Sequence, residues 1–328
     1  MCHYHHLTLI EREKIMFFRA QGKKLSVIAK ELGRSKAAIS RELRRNGRDA
    51  LYIPAIAHKH YCERRKKCRP AKKLDNPGLL ALVKDKFIKH QWSPEEIAGR
   101  LRLEKYCVSI SYATIYRGIY AGMFDDAKLS HGARDAVRKL RHKGKTRHKK
   151  GHEERRGKIC ISNELSARPR AANDRKRLGD WESDTVAGKT GRTCLVTLAD
   201  RKNRFATGGK ADKKTACEVS RVMIRALQGL PVKTITSDRG KEFARHAEVT
   251  EALQAPFYFP PPHQPWQRGI NENTNGLLRE YFPKGQDLAG VSEDHIQDVF
   301  DELNRRPRKC LGYRTPYEVF YKKKLHLT

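Results

Sequence analysis

Two stretches decide how this chain is read: Thr236-Ser237-Asp238-Arg239-Gly240-Lys241-Glu242-Phe243 and Pro265-Trp266-Gln267-Arg268-Gly269-Ile270-Asn271-Glu272-Asn273-Thr274-Asn275-Gly276-Leu277-Leu278-Arg279. The first follows the β-type run Val232-Lys233-Thr234-Ile235-Thr236, so Asp238 leaves the end of a strand just before a Gly turn. In the second, Glu272 stands near the start of a helix, after a Pro-rich loop. Upstream, Asp180-Trp181-Glu182-Ser183-Asp184-Thr185-Val186 offers a third carboxylate on another strand. Three acids brought together from two strands and a helix can hold a pair of divalent metal ions, because such cations take hard oxygen ligands.

The rest of the chain reads as machinery for gripping a polyanion. Its 328 residues suffice for two or three domains, each with its own core. The 70 Lys+Arg against 37 Asp+Glu leave a formal charge of +33. That sign and size point to nucleic acid, held through phosphate contacts and counterion release. A small basic housekeeping protein would lack both this length and the internal acids. No apolar run approaches the roughly 18 residues of a membrane span. The N-terminus lacks the apolar core of a signal peptide. The eight cysteines are scattered without a framework, as in reduced cytosolic proteins. His58, His60, Cys62 and Cys68 match no standard zinc spacing. The expected location is the cytoplasm, on the nucleoid through DNA.

Residues 8–46 read as a helix-turn-helix. Thr8 and Glu11 form a capping box, and Gly22 stops the first helix. Leu25, Ile28, Ala29 and Leu32 make one apolar stripe, Gly33 allows a sharp turn, and Ser35 caps the next helix. In that helix Ile39 and Leu43 face inward, leaving Lys36, Ala37, Ser40, Arg41, Arg44 and Arg45 outward. Such small, polar and basic residues suit a recognition helix in a major groove. Residues 50–70 read as a helix and linker, and residues 1–70 as the first DNA-binding domain.

A second helix-turn-helix is expected at 92–121, within a domain spanning 71–130. Ser93-Pro94-Glu95-Glu96 combines a cap, a Pro at the first helical position and a capping-box Glu. After a short connection, Ser111 caps a helix in which Ile115 and Ile119 face the core while Thr114 and Arg117 reach outward to DNA. Tyr112, Tyr116 and Tyr120 serve equally as packing or as contact residues. A basic linker spans 131–174. Within it, residues 134–158 carry twelve Lys or Arg against three Asp or Glu and almost no apolar side chains.

From about residue 158 short strands and amphipathic helices take over. Strands are expected at 180–187, 192–200, 204–210 and 232–237, with a fifth apolar run at Phe257-Tyr258-Phe259. Helices are expected from a cap at Asp212 to about Gln228, at 242–253, 269–282 and 292–304. Three strands in hairpin succession, then helix alternating with strand, make a mixed α/β sheet flanked by helices. Residues 305–328 form a basic tail that Tyr313, Tyr317 and Phe320 can dock.

These residues resemble a known family. Trp181-x-x-Asp184, Asp238-Arg239-Gly240-x-Glu242-Phe243 and Asn271-Glu272-Asn273-x-Asn275-Gly276-Leu277-Leu278-Arg279 are similar to the three acidic blocks of retroviral-integrase-like DDE transposases. The 33 residues from 239 to 271 between the last two acids, the Pro-Trp-Gln-Arg-Gly lead-in and the N-terminal helix-turn-helix pair most resemble bacterial insertion-sequence transposases of the IS-thirty type. The catalytic resemblance covers roughly 175–325. It implies a multidomain protein in which all-α helix-turn-helix modules precede an α/β RNase H-like domain, at 175–328, with a mixed five-stranded sheet. It also implies that Asp184, Asp238 and Glu272 are catalytic metal ligands for two Mg²⁺ ions, with Mn²⁺ able to substitute. Arg279, seven residues after Glu272 and so on the same helix face, is expected to turn toward DNA phosphate. Arg268 in the lead-in is a further expected DNA contact.

The implied chemistry suits those acids. Two Mg²⁺ ions about 4 Å apart activate an attacking oxygen and stabilise the departing one, so no Ser, Tyr or Cys nucleophile is needed. The expected partners are double-stranded DNA, as terminal inverted repeats and as target, and further copies of the chain in a homodimer or larger assembly. A helix-turn-helix regulator with an inactive RNase H-like domain, or a nuclease without strand transfer, are the alternatives. Strand alternation alone does not separate Asp184 from Asp180 and Glu182, which share its parity. The Trp-x-x-Asp match prefers Asp184, leaving Asp180 as a strand-start or surface residue, Glu242 as structural and Asp200 as a turn acid.

Overall fold

The computed structural model describes residues 5–47, 52–68, 72–125, 136–137, 139–140, 159–189, 192–261 and 269–327. The expected basic linker at 134–158 lies almost wholly outside the described residues, as do Arg268 and the loop residues His263, Gln264 and Trp266. The chain forms two compact units, Met1–Lys72 and Lys73–Thr328.

The first unit holds four helices: α1 (Leu9–Ala20), α2 (Leu25–Glu31), α3 (Lys36–Asn46) and α4 (Pro54–Lys67). The Thr8 and Glu11 side chains close their capping box on α1, and Ser35 caps α3 through the Ala38 amide. Gly22 and Gly33 take positive φ angles at the two turns, where a Cβ would be strained. Ile15, Ile28, Ala29, Ile39, Tyr52 and Ala57 form the core. Beside it lies a buried ion pair that hydrophobic spacing does not reveal: Arg12 Nε donates to Glu42 Oε1 at 2.8 Å. Tyr52 and Asn46 donate to the same oxygen. The buried carboxylate is thereby paired and hydrogen-bonded on several sides, the condition under which burying a charge is tolerated.

In the second unit, α5 (Pro77–Ile88), α6 (Pro94–Leu103) and α7 (Tyr112–Tyr120) pack around Leu79, Val83, Phe87, Trp92, Ile97, Leu101, Ile115 and Ile119. The Ser93–Glu96 capping box and the Ser111 cap form as their residues require. The short α8 (Arg170–Asn173) leads into a sheet of β1 (Asp180–Ala187), β2 (Cys194–Asp200), β3 (Ala206–Ala211), β4 (Thr234–Thr236) and β5 (Phe257–Tyr258). Its order is β3-β2-β1-β4-β5, antiparallel through the first three strands and parallel from β1 to β4 to β5. Intervening and following are α9 (Ala216–Leu227), α10 (His246–Leu253), α11 (Gly269–Tyr281), α12 (Glu293–Arg305) and α13 (Pro316–Tyr321).

Both faces of the sheet are covered, which is why β2 is buried along its whole length. Trp181, Cys194, Val196, Leu198 and Ile235 meet Val219, Val222 and Met223 of α9 on one face. Val186, Leu195 and Ala206 meet Leu277 and Leu278 of α11 and Val299, Phe300 and Leu303 of α12 on the other. Gly208 lets α12 approach: a Cβ there would stand 2.8 Å from the Phe300 ring and 2.0 Å from the Val196 carbonyl oxygen. This mixed five-stranded sheet between helices has the α/β architecture that the resemblance implied.

One local reading changes. The N-cap of α9 is Thr215, whose hydroxyl accepts from the Glu218 amide, and not Asp212. Asp212 follows directly on β3, and the chain needs the next residues to turn before a helix can start. Of the two alternatives for Asp180, strand start or surface, the first holds: it opens β1 and is fully buried, held by Arg177 and by the Thr234 hydroxyl. The helices of the expected second DNA-binding domain fall in the same compact unit as the sheet. They are joined to the C-terminal segment by buried ion pairs. Arg100 of α6 grips Glu318 of α13 with two guanidinium nitrogens, at 2.6 and 2.9 Å. Arg306 bridges Glu96 of α6 and Glu280 of α11. Gly99 admits the Tyr313 ring, since a Cβ there would lie 2.2 Å from it.

Candidate active site

Strand alternation points Glu182, Asp184 and Val186 of β1 toward the face covered by α11. On that face a cleft of about 400 Å³ is lined by Asp184, Thr185, Val186, Glu272, Asn275, Gly276, Arg279 and Lys284. Two carboxylates and two cationic side chains thus share one concavity. Glu272, Asn275 and Arg279 reach it together because positions i, i+3 and i+7 lie on one helix face.

Asp184 is tightly oriented. Its Oδ1 accepts from the Thr185 amide at 2.8 Å and its Oδ2 from Asn275 Nδ2 at 3.0 Å. Asn275 Oδ1 in turn accepts from the Thr197 hydroxyl of β2 at 2.9 Å, and the Asp184 carbonyl, 3.2 Å from that hydroxyl, competes for the same proton. Asp238 is half-buried, and its Oδ1 accepts from the Gly240 amide at 3.0 Å, the local turn that the Gly allows. It is not among the described residues that line the cleft. Parallel pairing sets Glu182 opposite Thr236, and the Ser183 and Ser237 hydroxyls bond to each other. The parallel pairing ends at Glu182 and Thr236, and Asp184 and Asp238 each follow two residues further along. Among the described residues no three His, Cys, Asp or Glu side chains converge closely enough to hold one ion.

The neighbouring acids sort by their partners. Glu182 is fully buried, pairs with Arg201, and accepts from the backbone amides of Ile270 and Asn271. Asp200 accepts from the amides of Gly179, Lys202 and Asn203, as a turn acid does, and burial raises its pKa. Glu242 is opposed by burial, yet Lys214 at 2.8 Å and the Thr185 hydroxyl hold its carboxyl below the usual range. Glu280 leaves the cleft face of α11 for Arg306.

Arg279 donates to the Ala187 carbonyl at 2.9 Å, and burial lowers its pKa. Lys284 is a cleft residue that motif reading missed, because it follows the end of α11 and belongs to none of the blocks. Asn275 was also missed as a functional residue. Its position three residues after Glu272, on the same helix face, was the available signal.

In the first unit, Lys36, Ala37, Ser40, Arg41, Arg44 and Arg45 are all exposed along α3. Arg34, Arg41, Arg45 and Arg64 line a cleft of about 350 Å³ beside the start of that helix. In the second unit Arg117 is exposed, whereas Thr114 is half-buried and bonded to Ser111. Tyr112 and Tyr120 are exposed, and the Tyr116 ring stacks on Tyr120 and meets Tyr112 edge-on. No helix among the described residues is long and apolar enough to cross a membrane.

Residues 3–46 match the model of a helix-turn-helix domain. The chain is 35% identical over 320 residues to the transposase for insertion sequence element IS4351 of Bacteroides fragilis, covering 96% of this chain and 95% of that one. It is 37% identical over 324 residues to transposase InsI for insertion sequence element IS30A of Escherichia coli strain K12, covering 96% and 83%. Among solved structures, the catalytic core domain of BIV integrase aligns with a TM-score of 0.36 at 19% identity, over 44% of this chain and 93% of that one.

Proposed function

The chain belongs to the insertion-sequence transposases of the IS30 type, and from that premise we propose that it cuts DNA at the ends of its element and joins those ends to target DNA. The observation that carries the proposal is the cleft in which Asp184 and Glu272 face Arg279 and Lys284, with Asp238 two residues beyond Thr236, the partner of Glu182 in the parallel pairing. Carboxylates there would hold divalent cations, and the two basic side chains would take the phosphate charge.

The donor set fits Mg²⁺ or Mn²⁺. Hard carboxylate oxygens are offered, and no Cys or His is among the described residues of the cleft. When bound, such ions supply activation of the attacking oxygen and stabilisation of the leaving one. Asp184, Asp238 and Glu272 would hold them, and Asn275 fixes the carboxylate plane of Asp184. In the first step water attacks the phosphorus at the element end, the P–O3′ bond breaks, and the released oxygen leaves as a 3′-hydroxyl. In the second, that hydroxyl attacks a phosphodiester of the target and displaces a target 3′-hydroxyl, so bond count is conserved without an external energy source. Arg279 and Lys284 would orient the scissile phosphate.

The exposed face of α3 would recognise the terminal inverted repeats, with Arg117 and Thr114 of α7 adding contacts in the second unit. A complex that processes two ends needs at least two copies of the chain.

The test uses purified full-length protein, labelled DNA carrying the element's own ends, and Mg²⁺. Wild type should nick at the end and transfer the 3′-hydroxyl to target, and Asp184→Asn and Glu272→Gln should bind the ends without cutting. Binding without cutting by wild type would replace the proposal with a regulator. Nicking without joining would leave a nuclease.

A further inference from the structure

Helix α11 carries Glu272 in its first turn, and that turn has a problem common to all helix starts: its first amides find no partner within the helix. Here Glu182 solves it from another element. This residue is 0% exposed, and its Oε2 accepts from the amides of Ile270 and Asn271, each at 3.2 Å. A carboxylate at a helix N-terminus also complements the positive end of the helix dipole. The other oxygen, Oε1, pairs with Arg201, itself 4% exposed. Arg201 is braced in turn by the carbonyl of Ala172, which its Nε reaches at 3.0 Å.

This arrangement ties α11 to β1 at two levels. Glu182 holds the backbone one and two residues before Glu272, and Asp184 holds the side chain of Asn275 three residues after it. Any loss of the lower tie shifts the turn from which Glu272 projects, while the hydrophobic anchors Leu277 and Leu278 stay seated further along.

We propose that Glu182, backed by Arg201, is a positioning residue that sets the place of Glu272 relative to Asp184 by anchoring the first turn of α11. The inference rests on the reading of Glu272 as a catalytic acid. Misplacing a catalytic group by about 1 Å costs on the order of 100-fold in rate, so a large kinetic effect is expected from a residue that touches no substrate.

Glu182→Gln is the first variant. A carboxamide has one acceptor and one donor end, so whichever way it turns, its NH₂ meets either Arg201 or the two α11 amides. In Glu182→Gln combined with Arg201→Met, the oxygen can turn to the α11 amides with no donor opposing the NH₂. Wild type and Asp238→Asn serve as controls, and each protein is assayed for end binding, for cleavage across a Mg²⁺ series, and for amide hydrogen exchange in a peptide spanning 269–273. The single variant should bind ends normally, exchange faster at 269–273, cleave about 100-fold more slowly and need more Mg²⁺ for half-maximal rate. The double variant should regain about tenfold or more of the cleavage and slow the exchange again.

Normal cleavage or unchanged exchange in the single variant would overturn the proposal, as would a double variant no better than the single. If the single variant does not fold, the double variant decides alone: protected amides with cleavage within about tenfold of wild type support the anchor, and anything slower or less protected contradicts it. A wild type that fails to cut would instead defeat the transposase mechanism, and the exchange measurement would still judge the anchor.

Discussion

Asn275 touches Asp184 with its amide nitrogen and Thr197 with its amide oxygen, so its plane is fixed from both ends. If Asp184 holds metal as proposed, a group that orients it in this way accounts for about 10- to 100-fold in metal affinity or activity. Asn275→Ala should lower cleavage by that factor and leave end binding unchanged, as read by comparing gel-shift and cleavage titrations on the same DNA. Part of the cleft was legible in residues: the acidic blocks single out Asp184 and Glu272, which line it together. What residue types alone withheld was the sorting among Asp180, Glu182 and Asp184. The three share strand parity, and only their partners differ: Arg177 and Thr234 for the first, Arg201 and the α11 amides for the second, Asn275 for the third. Such long-range pairings leave no periodic trace.

Among the elements, α6 and α13 are locked by a buried charge pair. Burial works against ionisation of Glu318, but Arg100 and the amides of Leu325 and Thr315 outweigh it and hold its carboxyl down at about 2 against an ordinary 4.5. A carboxyl depressed in the folded state contributes stability that is fully present above its unfolded value and is lost as pH falls through the folded one. Wild type should therefore melt above Glu318→Gln at neutral pH, with the gap closing between about pH 4.5 and pH 2, as followed by thermal unfolding at a series of pH values. A gap that is constant over this window would assign the pair no ionic contribution. The capping boxes at Thr8 and Ser93 were readable in advance because their four-residue spacing is local. The cap of α9 was misplaced because Asp212 and Thr215 both satisfy the local rule, and the end of β3 decides between them. Helix α5 escaped the sequence reading altogether, although the side chain of Asn76 caps it and Pro77 opens it.

At the scale of the whole molecule, a formal charge of +33 makes DNA affinity strongly salt-dependent. Recognition helices read bases mainly from their N-terminal residues, so on the proposed docking of α3 Arg45, in its last turn, would meet phosphate while Lys36, Ser40 and Arg41 would stand nearer the groove floor. Arg45→Ala should reduce the slope of log affinity against log salt by about 1 and leave sequence preference intact, measured by fluorescence anisotropy on end and scrambled duplexes. A relaxed preference with an unchanged slope would make Arg45 a base reader instead.

The central claim is that Asp184, Asp238 and Glu272 jointly hold the catalytic ions. Anomalous diffraction from crystals of the protein grown with its end DNA and Mn²⁺ tests it most directly. The account predicts manganese peaks coordinated by the carboxylates of Asp184, Asp238 and Glu272 and absent from Asp238→Asn crystals. Peaks elsewhere in a protein that cuts DNA under the same conditions, or peaks unchanged by Asp238→Asn, would contradict it.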